Sequence, residues 1–252
     1  FNSAQNIQKN LKSVINQNYS DWEQIIIDNN SNDNTLDIIK KNNCHKIRII
    51  SEYDNGIYDA INKGIKYATG DLIFILHSDD YFYANNILNE IVSLFKIKNP
   101  EVVYGNLLYV NKKYLPLRFW KSSMYESDLF LKGWSPPHPT FVTKKSNYKK
   151  YGVYISHFGN SADVELMYRF LQINKLTSIY LDKTFVCMKY GGISNKNLSS
   201  ILRQNIILLK IFKIHLNIFK IIKFFFFKLI NRVKQFVDAK KLNTKKTNNY
   251  NR

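Results

Sequence analysis

The chain has 252 residues, of which 45% are hydrophobic and 15% aromatic, enough to bury one sizeable core. Its net charge of +18 is unevenly spread, because residues 201–252 hold 13 Lys/Arg against one acidic residue and so contribute +12. This argues against a nucleic-acid binder, in which basic and aromatic residues would cover one sheet face. Two distant cysteines, Cys44 and Cys187, exclude a disulfide framework or cysteine zinc site and fit a reducing compartment.

The beginning of the chain, residues 1–18, is polar and carries no signal-peptide pattern. No stretch reaches the roughly 18 uncharged apolar residues of a membrane span. We therefore expect neither a secreted nor a membrane-spanning protein. The chain starts at Phe1 and enters a helical pattern at once, so we expect that a short segment is missing upstream.

Short apolar runs alternate with helix-length amphipathic segments in the first half of the chain. The runs predict strands at 24–28, 46–50, 71–76 and 101–110, and the segments predict helices at about 4–17, 35–42, 57–68 and 84–97. This alternation predicts an α/β fold with a Rossmann-like, mostly parallel sheet flanked by helices. Further along, we expect a strand at 112–120, a turn-rich loop at 133–139 and a helix at 161–174. Residues 1–198 are assigned to one catalytic domain.

The C-terminal part, from residue 199, predicts a single long helix to about residue 237 and then a polar, disordered tail at 238–252. Lys210, Lys213, Asn217 and Lys220 would share one face, which makes residues 199–237 a basic amphipathic helical region. Such a helix would bind an anionic membrane surface through residues 201–237, with about 1 kcal/mol from each lysine. The alternatives are that it packs on the catalytic domain or pairs with a second copy.

Acidic residues follow three of the predicted strands: Asp28, Asp54, and the adjacent pair Asp79 and Asp80. Ligands of open α/β sheets bind outside the carboxyl ends of the strands, so these four carboxylates are expected to meet in one crevice. Two adjacent carboxylates suit Mg²⁺ or Mn²⁺, with a diphosphate supplying the remaining ligands. The alternative is that Asp79 and Asp80 cap the helix that follows.

The segment DNNSNDNT, residues 28–35, follows its strand immediately and offers polar side chains that would bond a base or a ribose. It is also an ordinary polar connection, with Asp33 or Asn34 as the N-cap of the next helix. The two readings are compatible with each other.

Four blocks of the chain resemble the family 2 glycosyltransferases, enzymes of GT-A fold, over roughly residues 1–200. SVINQNYSDWEQIIIDNNSNDNTLDII resembles the opening helix, strand and nucleotide-binding loop, and EYDNGIYDAINKGIKYATGDLIFILHSDD resembles the block that ends in an Asp-x-Asp equivalent. HPTFVTKKSNYKKYGVY with SADVELMYRF resembles the acceptor-side half, and YGGIS the segment after it. The family's first strand would precede Phe1, so the resemblance also implies an N-terminally truncated chain.

The resemblance implies a role for individual residues. Asp163 would be the general base, Asp80 would hold the metal ion, Asp28 would contact the base or ribose, and donor binding would also involve Asp54, Asn62, Asp79 and His138. From the residues alone, Asp163 is equally an N-cap for the helix at 161–174. His77 departs from the family pattern and is expected to be a loop histidine.

The implied reaction is an inverting, metal-dependent transfer of a sugar from a nucleotide-sugar, with a UDP-sugar favoured, to a hydroxyl group of a glycan or lipid-linked acceptor. A divalent ion would neutralise the leaving diphosphate, and a carboxylate base would take the acceptor's proton. The expected setting is bacterial cell-surface polysaccharide synthesis, in the cytoplasm and peripheral to the inner face of the cell membrane. The alternatives are an inactive GT-A fragment and a nucleotidyltransferase, although no Gly-rich phosphate loop with a following Lys is present.

Overall fold

A computed structural model describes residues 1–42, 44–190, 198–214 and 216–250 of the chain. The first half contains the following helices and strands: α1 (Ile7–Ile15), β1 (Gln24–Asp28), α2 (Thr35–Lys41), β2 (Ile47–Ser51), α3 (Ile57–Tyr67), β3 (Leu72–Ile73), β4 (Tyr81–Phe82), α4 (Ile87–Lys98) and β5 (Val102–Val110). The predicted strand at 71–76 is therefore reduced to two paired residues. The other three predicted strands of this half are present.

The second half continues with β6 (Pro116–Trp120), β7 (Val142–Lys144), α5 (Lys145–Tyr151), α6 (Ala162–Tyr168), β8 (Ser178–Lys189), α7 (Leu198–Ile211) and α8 (Ile218–Tyr250). Short 3-10 helices cover Leu129–Lys132, His138–Thr140 and Ser156–Ser161, and a π-helical turn at Arg169–Ile173 extends α6. The predicted loop at 133–139 and the predicted helix at 161–174 thus correspond to observed segments.

The strands form two sheets. Strands β1 and β2 pair in parallel, whereas the larger sheet has the order β3-β7-β5-β8-β4, with β6 also paired to β5. Among the described strands of the larger sheet, only β5 and β8 pair in parallel, whereas β6 and β7 both run antiparallel to β5. The α/β class is confirmed, but the larger sheet is mixed where a mostly parallel one was predicted.

Strand β5 is the centre of the molecule, and all nine of its residues are buried. Because side chains alternate across a strand, β5 contributes to a core on each face. On one face, Val103 and Leu107 pack with Ile91 and Phe95 of α4. On the other face, Tyr104 belongs to a cluster that includes α6 and residues of α7 and α8. The C-terminal helices therefore share the main hydrophobic core.

The single C-terminal helix predicted from the sequence is two helices in the structure. The chain turns between Ile211 and Ile218, where Lys213 has a left-handed backbone conformation with φ 55°. The Asn217 side chain accepts a hydrogen bond of 3.0 Å from the backbone N–H of Lys220, which is an N-cap interaction. The prediction that Lys210, Lys213, Asn217 and Lys220 share one face of a continuous helix is therefore wrong. Helix α8 also continues to Tyr250, through most of the segment expected to be a disordered tail.

One side of α8 packs against the preceding part of the described chain. Phe224 is 1% exposed, and Gln235 accepts a hydrogen bond from the Arg118 guanidinium of β6. Gly133 lies so close to the helix that a Cβ atom there would be 2.8 Å from Cβ of Lys228. The helix is thus fixed to the rest of the described chain along this side, which agrees with the alternative that it packs on the domain.

Candidate active site

A cleft of about 2620 Å³ is lined by residues of β1, residues 72–76, α6 and α8, among others. Five of the residues assigned to the site from the sequence line it: Asp54, Asn62, Asp79, His138 and Asp163. Residues that are between 8 and 109 positions apart in the chain therefore line one cavity. Two further assigned residues, Asp28 and Asp80, are buried at 2% and 0% exposure.

Asp28 ends β1 and organises the loop that follows it. Its carboxylate accepts hydrogen bonds from the backbone N–H and the hydroxyl of Ser31, and a third of 2.9 Å from the hydroxyl of Ser51 on β2. Burial alone would raise the pKa of Asp28, but the bonds from Ser31 and Ser51 outweigh it and lower the pKa below its usual value. Asp28 is therefore ionised and holds the polar loop against β2.

The loop after β2 places Asp54 at the cleft. The backbone N–H of Asp54 donates to the Asn29 side chain at 2.8 Å, and the Asp54 carboxylate accepts from the N–H of Gly56 at 2.9 Å. Gly56 has φ 108°, a conformation that favours glycine, and precedes the first turn of α3. Asn29 also lines the cleft and was not singled out in the sequence.

Asp79 and Asp80 lie in a turn that α1 holds in place. The Asn10 side chain donates to the carbonyl oxygens of His77 and Asp80 at 2.8 and 3.0 Å. Asp79 lines the cleft, whereas Asp80 is completely buried, and neither of its carboxylate oxygens has a hydrogen-bond partner in the described part of the chain. Burial, together with the charge of Asp79, raises the pKa of Asp80 well above its usual value.

The two carboxylates at this turn fit a divalent ion whose remaining ligands are phosphate oxygens of the substrate. Among residues 1–42, 44–190, 198–214 and 216–250, no group of three or more His, Cys, Asp or Glu side chains is arranged to hold a metal alone. Mg²⁺ and Mn²⁺ sites with one or two carboxylates plus phosphate oxygens need no such group. The unpartnered Asp80 carboxylate beside the cleft-lining Asp79 is compatible with that kind of site.

Asn62 of α3 ties this side of the cleft to the opposite side. Its amide nitrogen donates to the carbonyl of Tyr154 at 2.8 Å, and its amide oxygen accepts from the N–H of Tyr154 at 3.0 Å. The Tyr154 ring stacks on Tyr58, also of α3, with 5.6 Å between centroids. The hydroxyl of Tyr154 lies 2.8 Å from Nε2 of His138. Both polar atoms of the Asn62 side chain are thus bonded to the Tyr154 backbone. Tyr58 and Tyr154 lie within the blocks that carry the family resemblance, but the sequence assigned no role to either.

The two histidines of the cleft are neutral. Burial lowers the pKa of His138 to about 4. Burial and the nearby His138 lower the pKa of His77 to about 4 as well, and the two rings are 5.9 Å apart. At neutral pH, His138 therefore offers a hydrogen-bonding imidazole rather than a positive charge to anything bound in the cleft.

Asp163 lies in the first turn of α6 and faces the same cleft. The N-cap position of α6 belongs to Ser161, and Asp163 accepts a 2.7 Å hydrogen bond from the adjacent N–H of Val164. Burial raises the pKa of Asp163 to about 6, although its interactions with Val164, Lys228 and Tyr58 act in the opposite direction. A carboxylate with such a pKa is ionised at neutral pH and is basic enough to accept a proton from a bound hydroxyl group.

Helix α8 contributes a lysine to this end of the cleft. Lys228 lines the cavity, donates to the Asn205 side chain at 2.6 Å, and interacts electrostatically with Asp163. Burial and the charge of Arg232 lower the pKa of Lys228 to about 8. The sequence pattern left packing on the domain as an alternative for this helix, but it did not reveal that α8 reaches the site.

The fold and the cleft together define an α/β enzyme. Polar and acidic groups follow the strand ends on one side, and a carboxylate suited to proton transfer lies on the other. The family model for glycosyl transferase family 2 matches residues 1–160, so the chain belongs to this family. The resemblance seen in the sequence is confirmed.

Known proteins with similar sequence are glycosyltransferases. WfgD of Escherichia coli, named as a UDP-Glc:alpha-D-GlcNAc-diphosphoundecaprenol beta-1,3-glucosyltransferase, is 27% identical over 209 residues, covering 81% of this chain and 80% of WfgD. An uncharacterised glycosyltransferase of Mycobacterium tuberculosis is 32% identical over 175 residues, covering 67% of this chain and 65% of that protein. The chain is thus a glycosyltransferase.

Solved structures confirm the predicted GT-A fold. S. aureus TarS superposes with a TM-score of 0.62 at 18% identity, covering 86% of this chain and 42% of TarS, and a shorter TarS structure contains UDP-GlcNAc. The mannosyltransferase PcManGT of Pyrobaculum calidifontis, solved with GDP-Man and Mn²⁺, has a TM-score of 0.60 at 16% identity and covers 84% of this chain and 61% of that chain.

The contact between Tyr58 and Asp163 yields a prediction. The Tyr58 hydroxyl stabilises the ionised carboxylate, so Tyr58→Phe is expected to raise the pKa of Asp163 above its value of about 6. Titration of the carboxyl carbons by ¹³C NMR measures this directly. Tyr53→Phe, at a tyrosine that is 70% exposed, serves as the control. An unchanged pKa in Tyr58→Phe would show that the contact does not tune Asp163.

Proposed function

We propose that this enzyme transfers a sugar from a UDP-sugar to a hydroxyl group of its acceptor with inversion, using Asp163 as the general base. The observation that carries the proposal is the position of Asp163, with its pKa raised to about 6, in the same cleft as Asp54 and Asp79. The relatives support the choice of donor, since WfgD is named for UDP-Glc and a TarS structure contains UDP-GlcNAc.

The donor would bind on the side of the cleft formed by the strand ends. Asn29 and Asp54 would offer polar groups to the nucleoside, and Asp28 would act by holding the loop that carries Asn29 against β2. Asn62 would shape the donor pocket through its pairing with Tyr154, and neutral His138 would donate or accept one hydrogen bond near the phosphates or the acceptor.

The phosphates would lie near Asp79 and Asp80, which are the candidate ligands of Mg²⁺ or Mn²⁺. Asp79 is accessible from the cleft, and Asp80, which is buried beside it, would be the second ligand. A bound divalent ion supplies electrostatic stabilisation of the departing diphosphate. The PcManGT structure, which contains Mn²⁺ with GDP-Man, supports metal use in this fold.

The transfer step follows from the position of Asp163. Its carboxylate accepts the proton of the acceptor hydroxyl while that oxygen attacks the anomeric carbon. The bond from this carbon to the donor phosphate breaks, and its electron pair leaves with the nucleoside diphosphate. Because attack and departure occur on opposite faces of the sugar, a single displacement inverts the anomeric centre.

Asp163→Asn tests this function, because it keeps the size of the side chain but removes the base. We expect kcat for transfer from UDP-sugars to fall about 10²- to 10⁴-fold with little change in the KM for the donor. In the native enzyme kcat should decrease as the pH falls below about 6, because Asp163 becomes protonated there. Nucleoside diphosphate release from UDP-, GDP- and dTDP-sugars with Mn²⁺ provides the measurement.

The matched control is Asp37→Asn, at an exposed aspartate of α2, which should leave transfer unchanged. Asp79→Asn and Asp80→Asn should instead weaken donor binding and the response to Mn²⁺. A native rate in Asp163→Asn would eliminate the assignment of the base. No release from any donor by the folded native chain would favour the inactive-fragment alternative.

The biological setting we propose is bacterial cell-surface polysaccharide synthesis with a glycan or lipid-linked acceptor, on the cytoplasmic face of the cell membrane. WfgD, whose name includes a diphosphoundecaprenol acceptor, supports this setting. In the described residues, no helix has the length and hydropathy that crossing a membrane demands. Any association with the membrane would therefore depend on a surface of this part of the chain or on regions outside it.

Helix α8 offers such a surface on the side that faces away from the domain. Large apolar side chains are exposed there, including Phe219 (81%), Ile222 (60%), Phe226 (59%), Leu229 (65%) and Val233 (56%). Exposed lysines such as Lys223 and Lys234 flank them. An apolar strip with flanking lysines suits the interface of an anionic membrane, and we propose that α8 docks the enzyme there.

Flotation with phosphatidylglycerol vesicles tests this docking. We expect the native chain to float and the triple variant Phe219→Ser, Phe226→Ser, Val233→Ser to remain largely unbound, because the apolar area that enters the interface is lost. High salt should weaken binding of the native chain by screening its lysines. The control is Ile97→Ser, which removes an equally exposed apolar residue (78%) from α4. Equal flotation of native and triple-variant protein would exclude α8 as the docking surface.

A further inference from the structure

Three cationic side chains line the cleft, and one of them, Lys228, interacts electrostatically with Asp163. Arg118 comes from β6, and Lys228 and Arg232 come from α8. Residues four positions apart lie on neighbouring turns of one helix side, so Lys228 and Arg232 are directed to the same region. These three residues form what we call the basic cluster.

Two members of the basic cluster, Arg118 and Lys228, are bonded to neutral groups rather than to acids. Arg118 is 8% exposed, donates to the amide oxygen of Gln235, and lies over the rings of Tyr109 and Trp120 at 4.6 and 5.2 Å. Lys228 donates to the side-chain oxygen of Asn205. In the part of the chain that the structure describes, no Asp or Glu oxygen lies within 4.0 Å of the charged nitrogens of the cluster.

The charges of the cluster act on one another. After burial, which is the largest effect, the charge of Arg232 lowers the pKa of Lys228 to about 8, and the charge of Arg232 also lowers the pKa of Arg118. Buried charges are normally paired, because removing them from water is costly. A cavity wall with three like charges and no carboxylate in contact therefore suits a ligand with more than one negative charge.

The position of the cluster indicates which part of the reaction it serves. Lys228 interacts with Asp163, which takes the acceptor's proton in the proposed function, whereas Asn29, Asp54 and Asp79 come from the loops that follow the strands. The exposed apolar strip lies on the other side of α8. An anionic group bound by the cluster would thus be next to the acceptor hydroxyl and one helix diameter from the proposed membrane surface.

We propose, building on the proposed function, that Arg118, Lys228 and Arg232 form a binding site for a phosphate or diphosphate group on the acceptor. The acceptor is then an anionic, phosphate-linked lipid rather than a neutral glycan. Helix α8 would contact both the phosphate and the lipid part of this acceptor, with its cationic side toward the phosphate and its apolar side toward the lipid phase.

Geranyl diphosphate is a suitable probe, because it carries the diphosphate on a short isoprenoid chain and needs no vesicle. Calorimetric titration into the native chain saturated with UDP should show binding, and geraniol, which lacks the diphosphate, should bind at least tenfold more weakly. Lys228→Met and Arg232→Met should each weaken geranyl diphosphate binding at least tenfold and leave the affinity for UDP within twofold. Circular dichroism checks that α8 remains folded in each variant.

The matched controls are Lys223→Met and Lys234→Met, which remove the same charge from exposed positions of α8 and should leave binding within twofold. Equal losses in these controls would attribute binding to the general charge of the helix and overturn the proposal. Competition between geranyl diphosphate and UDP would assign the cluster to the donor's phosphates instead. No binding by the native chain would also overturn it.

The outcome also separates this proposal from the proposed function. If UDP does not bind the native chain, the donor assignment fails, and the titrations with geranyl diphosphate are run without UDP. Binding that still depends on Lys228 and Arg232 would then support the anion site on its own. If UDP binds and geranyl diphosphate does not, only the acceptor site is rejected.

Discussion

The pairing of Asn62 with the backbone of Tyr154 is the contact on which the site depends. Both polar atoms of the Asn62 amide are used, at 2.8 and 3.0 Å, so α3 and the chain after α5 are fixed in register. Tyr58, one helical turn earlier, then stacks on Tyr154 and contacts Asp163. Loss of either hydrogen bond would leave a partly buried polar group unpaired and would release the side of the cleft that carries the proposed base.

The same packing explains how one chain forms both a phosphate side and an acceptor side. The polar groups after the strands are held by local bonds, such as Asp28 to Ser31 and Asp54 to Gly56. The opposite side is held by long-range contacts between aromatic residues of α3, α5, α6 and the C-terminal helices. Helix α8 completes it, since its inner side packs at Phe224 while its outer side remains apolar and exposed.

Local patterns were enough to predict the α/β class, most strands, and the carboxylates that follow them, because alternation and strand-end acids are short-range signals. Family resemblance added Asp163, which the structure places in the first turn of α6 rather than at its N-cap, and its role as a base stays a prediction. Short-range sequence patterns do not reveal the pairing of Asn62 with Tyr154, which is 92 positions away. They also do not reveal that Asp80 is buried while Asp79 is accessible, since both follow the same strand.

The C-terminal region shows a further limit of sequence patterns. Residues 199–237 have helical periodicity throughout, so they predict one helix, and the capping function of Asn217 becomes visible only where the chain turns. An amphipathic pattern also identifies two sides without saying which one packs on the domain. Here the side with Phe224 and Lys228 packs inward. Lys228 therefore lines the cleft, although composition alone would place a lysine at the surface.

The central claim is that one carboxylate base, Asp163, acts in a single displacement. The most direct measurement is the anomeric configuration of the product, read by ¹H NMR from the coupling constant of the transferred sugar at early times. From an α-linked UDP-sugar, our account predicts a β-linked product. A product that retains the α configuration would contradict it, because retention requires a different mechanism from a single in-line attack.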